Sequence, residues 1–159
     1  LIWGALSLIG AAAGGSDVLR PLAGLSLSAS GQAESRKLAF RDIASPAELE
    51  AALADARAAG RPAMIDVYAD WCVYCVQLEE QTFTDPRVHE AVADAVLLRA
   101  DVTDMTPAHR ALMQRLEVYL PPAIIFYGAD GRENRAARVV GFLEPPAFIE
   151  RARAGLGEG

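Results

Sequence analysis

Asp66-Val67-Tyr68-Ala69-Asp70-Trp71-Cys72-Val73-Tyr74-Cys75 is a short apolar strand running directly into a Cys-x-x-Cys pair, and the rest of the chain is built around it. Cys72 and Cys75 are its two cysteines. Three residues apart on a helix they share a face, so they can close a disulfide with each other or act in turn on the disulfide of another molecule. Structural zinc takes four ligands, and here a second cysteine pair is missing while His89 and His109 do not stand at ligand-pair spacing, so no metal is expected. A haem attachment site has His directly after the second cysteine, where this chain has Val76. An inert structural bridge closing so short a loop would remove little unfolded-state entropy. A redox-active dithiol fits these residues better than any of the three.

Outward from the motif, Ala63 to Tyr68 is apolar on both faces of the pleat, the pattern of a central strand covered by helices, and Asp66 alone interrupts it. The helix carrying the cysteines runs through Leu78 and Glu79 towards Phe83. Asp85-Pro86 then restarts a helix as N-cap and first position, which predicts a kinked or broken helix. Before the motif, Lys37 to Ile43 alternates as a first strand with Leu38, Phe40 and Ile43 inward. Ser45-Pro46-Ala47-Glu48 is a capping box opening a helix with Leu49, Ala52, Leu53 and Ala56 on one stripe, which Gly60 can end. After it come a buried strand at Val96 to Ala100 and a helix capped by Thr106-Pro107 with Ala108, Leu112 and Leu116 inward. A strand at Ala123 to Tyr127, a turn from Gly128 to Gly131, a partner strand at Arg138 to Val140 and a last helix from Pro145 complete the order β-α-β-α-β-α-β-β-α.

The 159 residues leave room for one main domain with attachments. A formal charge of −6, with 15 basic residues scattered singly, argues against a nucleic-acid partner, because no basic stripe exists to neutralise phosphates. Leu1 to Ser16 holds no charged residue and is rich in small apolar side chains, so residues 1–15 are expected to be the end of a transmembrane helix. The alternative is a buried or unstructured apolar tail. Residues 16–36 are Gly, Ser, Ala and Leu without a sustained period, the composition of a flexible linker, and residues 37–157 form the folded domain. The sparse positive charge after Ser16 places that domain outside the cytoplasm.

The element order, a Trp-Cys-x-x-Cys at a strand-to-helix junction and a Pro just before a late strand resemble the thioredoxin fold: an α/β architecture, a central mixed sheet flanked by helices. The resemblance narrows with Tyr68-Ala69-Asp70-Trp71-Cys72-Val73-x-Cys75-x-x-x-Glu79, Thr82-Phe83-Thr84-Asp85-Pro86-Arg87-Val88, Ala100-Asp101-Val102-Thr103, Pro121-Pro122 and Gly141-Phe142. Together these resemble the C-terminal periplasmic domain of the transmembrane thiol:disulfide interchange proteins of the DsbD type, over roughly Phe40 to Leu156. Val76 stands where that family commonly has Lys, and Tyr74 where a small residue is common.

The resemblance implies electron relay in the bacterial inner membrane, with the catalytic domain in the periplasm. A membrane-embedded cysteine pair would reduce this domain, and the domain would reduce an immunoglobulin-like N-terminal domain serving periplasmic disulfide proteins. No cofactor is implied beyond the Cys72–Cys75 disulfide. Two rivals stand beside this: a dedicated thioredoxin-like reductant for cytochrome maturation, and a thioredoxin-fold binding module with an idle disulfide.

Within the site, Cys72 begins a helix, where free N–H groups and the helix dipole favour a thiolate, so it is expected to attack and Cys75 to resolve. Val73 and Tyr74 put no positive charge between the cysteines, which favours a reductant. The resemblance makes Pro122 the cis-proline facing the cysteines and sets Pro121 before it, able to offer a bound partner only its carbonyl. Trp71 either shields the disulfide or simply packs. Asp66 matches the buried acid of thioredoxins and Glu79 follows Cys75 by one helical turn, so both are expected near the sulfurs, where each would raise the thiol pKa. The alternative for Glu79 is a solvated helix face.

Overall fold

The computed structural model describes residues 37–157. Its elements in chain order are β1 (Arg41–Asp42), α1 (Pro46–Ala58), β2 (Ala63–Tyr68), α2 (Val73–Gln77) running on as a π turn (Leu78–Thr82), and α3 (Pro86–Ala91). Then follow β3 (Val96–Asp101), α4 (Pro107–Arg115), β4 (Ala123–Tyr127), a 3-10 turn (Arg135–Ala137), β5 (Val139–Val140) and α5 (Pro145–Leu156). The sheet order is β1-β3-β2-β4-β5, with β1 and β2 parallel to β3, and β4 antiparallel to both β2 and β5.

The central place of β2 explains its unbroken apolar run. Alternate residues point to opposite faces. Ile65 and Val67 join Leu49, Ala52, Ala56, Leu112 and Leu116 under α1 and α4, while Met64 meets Leu78, Phe83, Val88, Phe148 and Ile149 under α2, α3 and α5. Phe148 anchors the second layer, its ring 5.4 Å from that of Phe83 and 6.1 Å from that of Phe126.

Local signals place the helix starts. Ser45 Oγ accepts from the Glu48 N–H, and Glu48 reaches back to the N–H of Ala44, one residue ahead of the Ser45 that a capping box would bond. Asp85 and Thr106 cap α3 and α4 with their side chains, each followed by Pro. The expected break after the cysteines takes the form of the π turn, closed by the Phe83 N–H on the Leu78 carbonyl at 2.8 Å.

Three expectations need correcting. The first strand shrinks to Arg41–Asp42, because its ladder with β3 starts only at Arg41 opposite Leu98; Leu38 and Phe40 precede the ladder but still pack against the second core layer. So short an outer neighbour leaves β3 half-covered, with only Leu98 and Ala100 fully buried. In α4 the inward stripe is Leu112, Met113 and Leu116, and Ala108 is exposed on the first turn.

Candidate functional site

The site begins where β2 leaves the sheet. Asp70 N–H donates to Thr103 Oγ1 at 2.9 Å and the Trp71 indole N–H to the Thr103 carbonyl at 3.0 Å, so the turn before the cysteines is tied to the loop after β3. Thr103 is in turn held by Asp101, which accepts from its N–H at 3.0 Å. Cys72 is the N-cap of α2, and Cys72 and Cys75 are joined as a disulfide with Cα atoms 5.2 Å apart. Both are nearly covered, Cys72 6% and Cys75 2% exposed. The Cys75 N–H donates to Cys72 Sγ at 3.2 Å, a bond that would favour negative charge on that sulfur once reduced.

The Pro121–Pro122 peptide bond is cis. Ala123 pairs with Val67, so Pro122, one residue earlier on an antiparallel neighbour, comes level with the end of β2 from which the cysteine turn departs. Pro121 is half-buried and Pro122 buried. Trp71 both packs and faces outward: its indole is anchored, yet half its surface is open. Val73, Tyr74, Tyr119 and Leu120 are also exposed, so large apolar side chains flank both the cysteines and the cis-proline along the chain. Tyr119 and Leu120 had no sequence signal, since they sit in an aperiodic loop between α4 and β4.

Asp66 is 2% exposed on the β2 face that looks toward α2. Its pKa is pushed up to about 6, by burial first; the Arg99 guanidinium pulls it back down, and Glu79 and Asp101 add to the rise. Arg99 Nε and Nη2 donate to Asp66 Oδ2 at 3.0 and 2.8 Å, and Nη2 also donates to Glu79. Burial works against the Arg99 charge, but the Asp66 and Glu79 carboxylates outweigh it and hold its pKa above the ordinary value. Glu79 is therefore half-buried in an ion pair rather than a solvated helix face. Tyr68 is pushed up to about 12, by burial and then by its hydrogen bond to Asp70 at 3.0 Å.

Arg99, which bridges the two acids, was not singled out from the sequence. The signal was present: opposite charges interrupt two consecutive apolar strands, Asp66 in β2 and Arg99 in β3. Among the described residues there is no cluster of His, Cys, Asp and Glu that could hold a metal ion, and no helix long and apolar enough to cross a membrane. The expected membrane segment and linker lie outside the described residues.

Comparison with known proteins agrees with this geometry. A thioredoxin-like family model matches residues 44–129. The thiol:disulfide interchange protein DsbD of Ralstonia nicotianae is 47% identical over 155 residues, covering 97% of this chain and 25% of that protein. DsbD of Pseudomonas fluorescens is 42% identical over 149 residues, covering 94% of this chain and 26% of that protein. The oxidised C-terminal domain of DsbD from Neisseria meningitidis superposes with a TM-score of 0.62 at 30% identity, over 72% of this chain and 99% of that domain. The chain thus spans about a quarter of the length of these curated relatives.

Proposed function

Because the chain belongs to the thioredoxin-like family, with the C-terminal domains of DsbD as its relatives, we propose that it is a protein-disulfide reductase working by dithiol–disulfide exchange at Cys72 and Cys75. The observation that carries this is the Cys72–Cys75 pair itself, set at a helix start with an N–H on the Cys72 sulfur and a cis-proline level with the preceding strand end.

In the reduced protein the Cys72 thiolate attacks one sulfur of an acceptor disulfide, forming a mixed disulfide and expelling the other acceptor sulfur as a thiolate. Cys75 then loses its proton and attacks the Cys72 sulfur. The acceptor leaves as a dithiol, having gained two electrons and taken up one proton from Cys75 and one from solvent, where Cys72 released its own on ionising, and the Cys72–Cys75 disulfide is restored. A second dithiol must recharge the domain by the reverse exchange.

The membrane-embedded cysteine pair suits the donor role, and an immunoglobulin-like N-terminal domain serving periplasmic disulfide proteins suits the acceptor role. That arrangement makes residues 1–15 the end of a membrane helix and residues 16–36 a tether, with residues 37–157 in the periplasm. The exposed Trp71, Tyr74, Tyr119 and Leu120 provide an apolar face for the partner, and the Pro121 carbonyl a main-chain acceptor. Asp66 and Glu79 hold the Cys72 thiol protonated until a partner docks, because negative charge close to a thiol opposes its ionisation. Such a thiol reacts slowly with stray disulfides, and docking frees the thiolate by covering or displacing the acids.

The test is disulfide transfer. Cys72→Ser should abolish reduction of insulin disulfides, and Cys75→Ser should accumulate a mixed disulfide through Cys72. Reduction by Cys72→Ser at the unaltered rate sinks the assignment. A glutathione titration then separates a working pair, expected between about −120 and −270 mV, from an idle structural bridge below about −300 mV.

A further inference from the structure

Arg99 is built into the site more firmly than a surface ion pair requires. It is the register neighbour of Asp66 across β2 and β3, so backbone pairing alone sets the two side chains together. The guanidinium carbon lies 4.2 Å from the centre of the Phe40 ring and 4.7 Å from that of Tyr68. Both rings pack against the guanidinium and so help to fix its orientation beside the acids. From there it bonds Asp66, whose side chain is 3% exposed, and Glu79, whose side chain is 21% exposed. Glu79 also lines a cleft of about 340 Å³ with Lys37, Tyr68, Val76, Glu80 and Thr84, so one end of the network meets solvent one turn from Cys75 while the other is sealed.

We propose that Arg99 is a positioning residue for the thiol chemistry: it ties Asp66 and Glu79 together and offsets one of their two negative charges, so the thiols face one net negative charge where the two carboxylates alone would present two. The proposal rests on the oxidoreductase reading of Cys72 and Cys75. It sets how strongly the acids hold back the thiol, which neither acid determines by itself. The charged groups facing the network are Asp101 on β3, Asp70 through Tyr68, and Lys37 and Glu80 across the cleft; none of them bonds both acids.

The experiment starts with the oxidised protein, where no thiol titrates. Side-chain carboxyl resonances are followed against pH in the wild type, Arg99→Gln and Arg99→Lys. Asp66, pushed up to about 6 by burial, is expected to titrate there in the wild type. Its midpoint should rise by at least about one pH unit in Arg99→Gln and by less in Arg99→Lys, whose compact ammonium keeps the charge but lacks the fork that bridges two carboxylates. In the reduced protein, above the Asp66 midpoint, the Cys72 thiolate midpoint should rise by about one pH unit in Arg99→Gln. Thiolate then falls about tenfold at a given pH while its intrinsic reactivity rises about threefold, so exchange with a small disulfide slows about threefold. An unmoved Asp66 midpoint in a folded variant overturns the proposal. If Arg99→Gln does not fold, Arg99→Met, which keeps an apolar stem between the rings and removes the charge, is judged by the same criterion. Insulin reduction by the same samples reads the oxidoreductase assignment separately, because the carboxyl titration needs no activity.

Discussion

Arg99 stands directly beside Asp66 in the parallel register of β2 and β3, and two of its guanidinium nitrogens converge on the single oxygen Asp66 Oδ2 at 2.8 and 3.0 Å. An ion pair this close would ordinarily drag a carboxyl well below its usual range. Here burial wins, and Asp66 ends above that range despite its partner. The fold therefore holds a carboxylate in a place that opposes its charge, on the strand that leads into the cysteine turn.

The consequence for stability has a definite sign. An Asp whose pKa rises from 3.8 to about 6 on folding binds its proton more tightly in the folded state. Its favourable contribution is fully present below the unfolded pKa, fades as pH climbs between the two values, and is gone above the folded one. At 1.36 kcal/mol for each pH unit, the ionised form costs at most about 3 kcal/mol. Asp66→Asn, which cannot ionise, should gain on the wild type by about 1–3 kcal/mol between pH 4 and pH 8 in urea unfolding. The difference between the two pH values is the readout, since any loss from the unpaired Arg99 bond is common to both. A variant that loses ground as pH rises contradicts the account of Asp66.

The thiol should respond to the same charges. In the reduced protein, Asp66→Asn and Glu79→Gln are each expected to lower the Cys72 pKa, by up to about one unit, as seen in the pH dependence of thiolate ultraviolet absorbance. The Glu79 effect should be the smaller because that side chain reaches solvent. Unchanged or higher Cys72 values in both variants would rule out the gating role of the acids.

Much of this site was readable in the sequence because its signals are local. The apolar run of β2, the Ser45 cap, the break before Asp85 and the cysteine spacing each depend on residues within a few positions of one another. Arg99 depends on a partner 33 positions away, brought alongside by strand register. In isolation, a charge in a strand such as Val-Leu-Leu-Arg-Ala reads as its solvent side. The length of β1 escaped for a similar reason, since its pairing with β3 begins only at Arg41, after the alternation that starts at Leu38 is already under way. Ala108 is small enough to fit either face of α4, so periodicity alone could not place it.

A last prediction concerns the layer that holds α5 against the sheet. Gly155 sits in α5, and a Cβ there would fall 2.4 Å from both Cβ and Cγ of Phe126 and 2.7 Å from its Cδ2. Phe126 cannot swing aside: it is fully buried on β4, with the Phe148 ring 6.1 Å away. Gly155→Ala must therefore push α5 outward, at a cost of about 1–3 kcal/mol for overpacking. The better helix propensity of Ala recovers about 1 kcal/mol, so the net change should still be destabilising. In a domain of this size it should lower Tm by roughly 4 °C for each kcal/mol. Phe126→Leu in the Gly155→Ala background should show favourable coupling, because shortening the ring gives the new methyl room. Below the transition, disulfide exchange by the folded protein should be unaffected, since neither residue adjoins Cys72 in the chain or in the core layer that holds it. Gly155→Ala as stable as the wild type would mean that α5 is not seated on Phe126 as described.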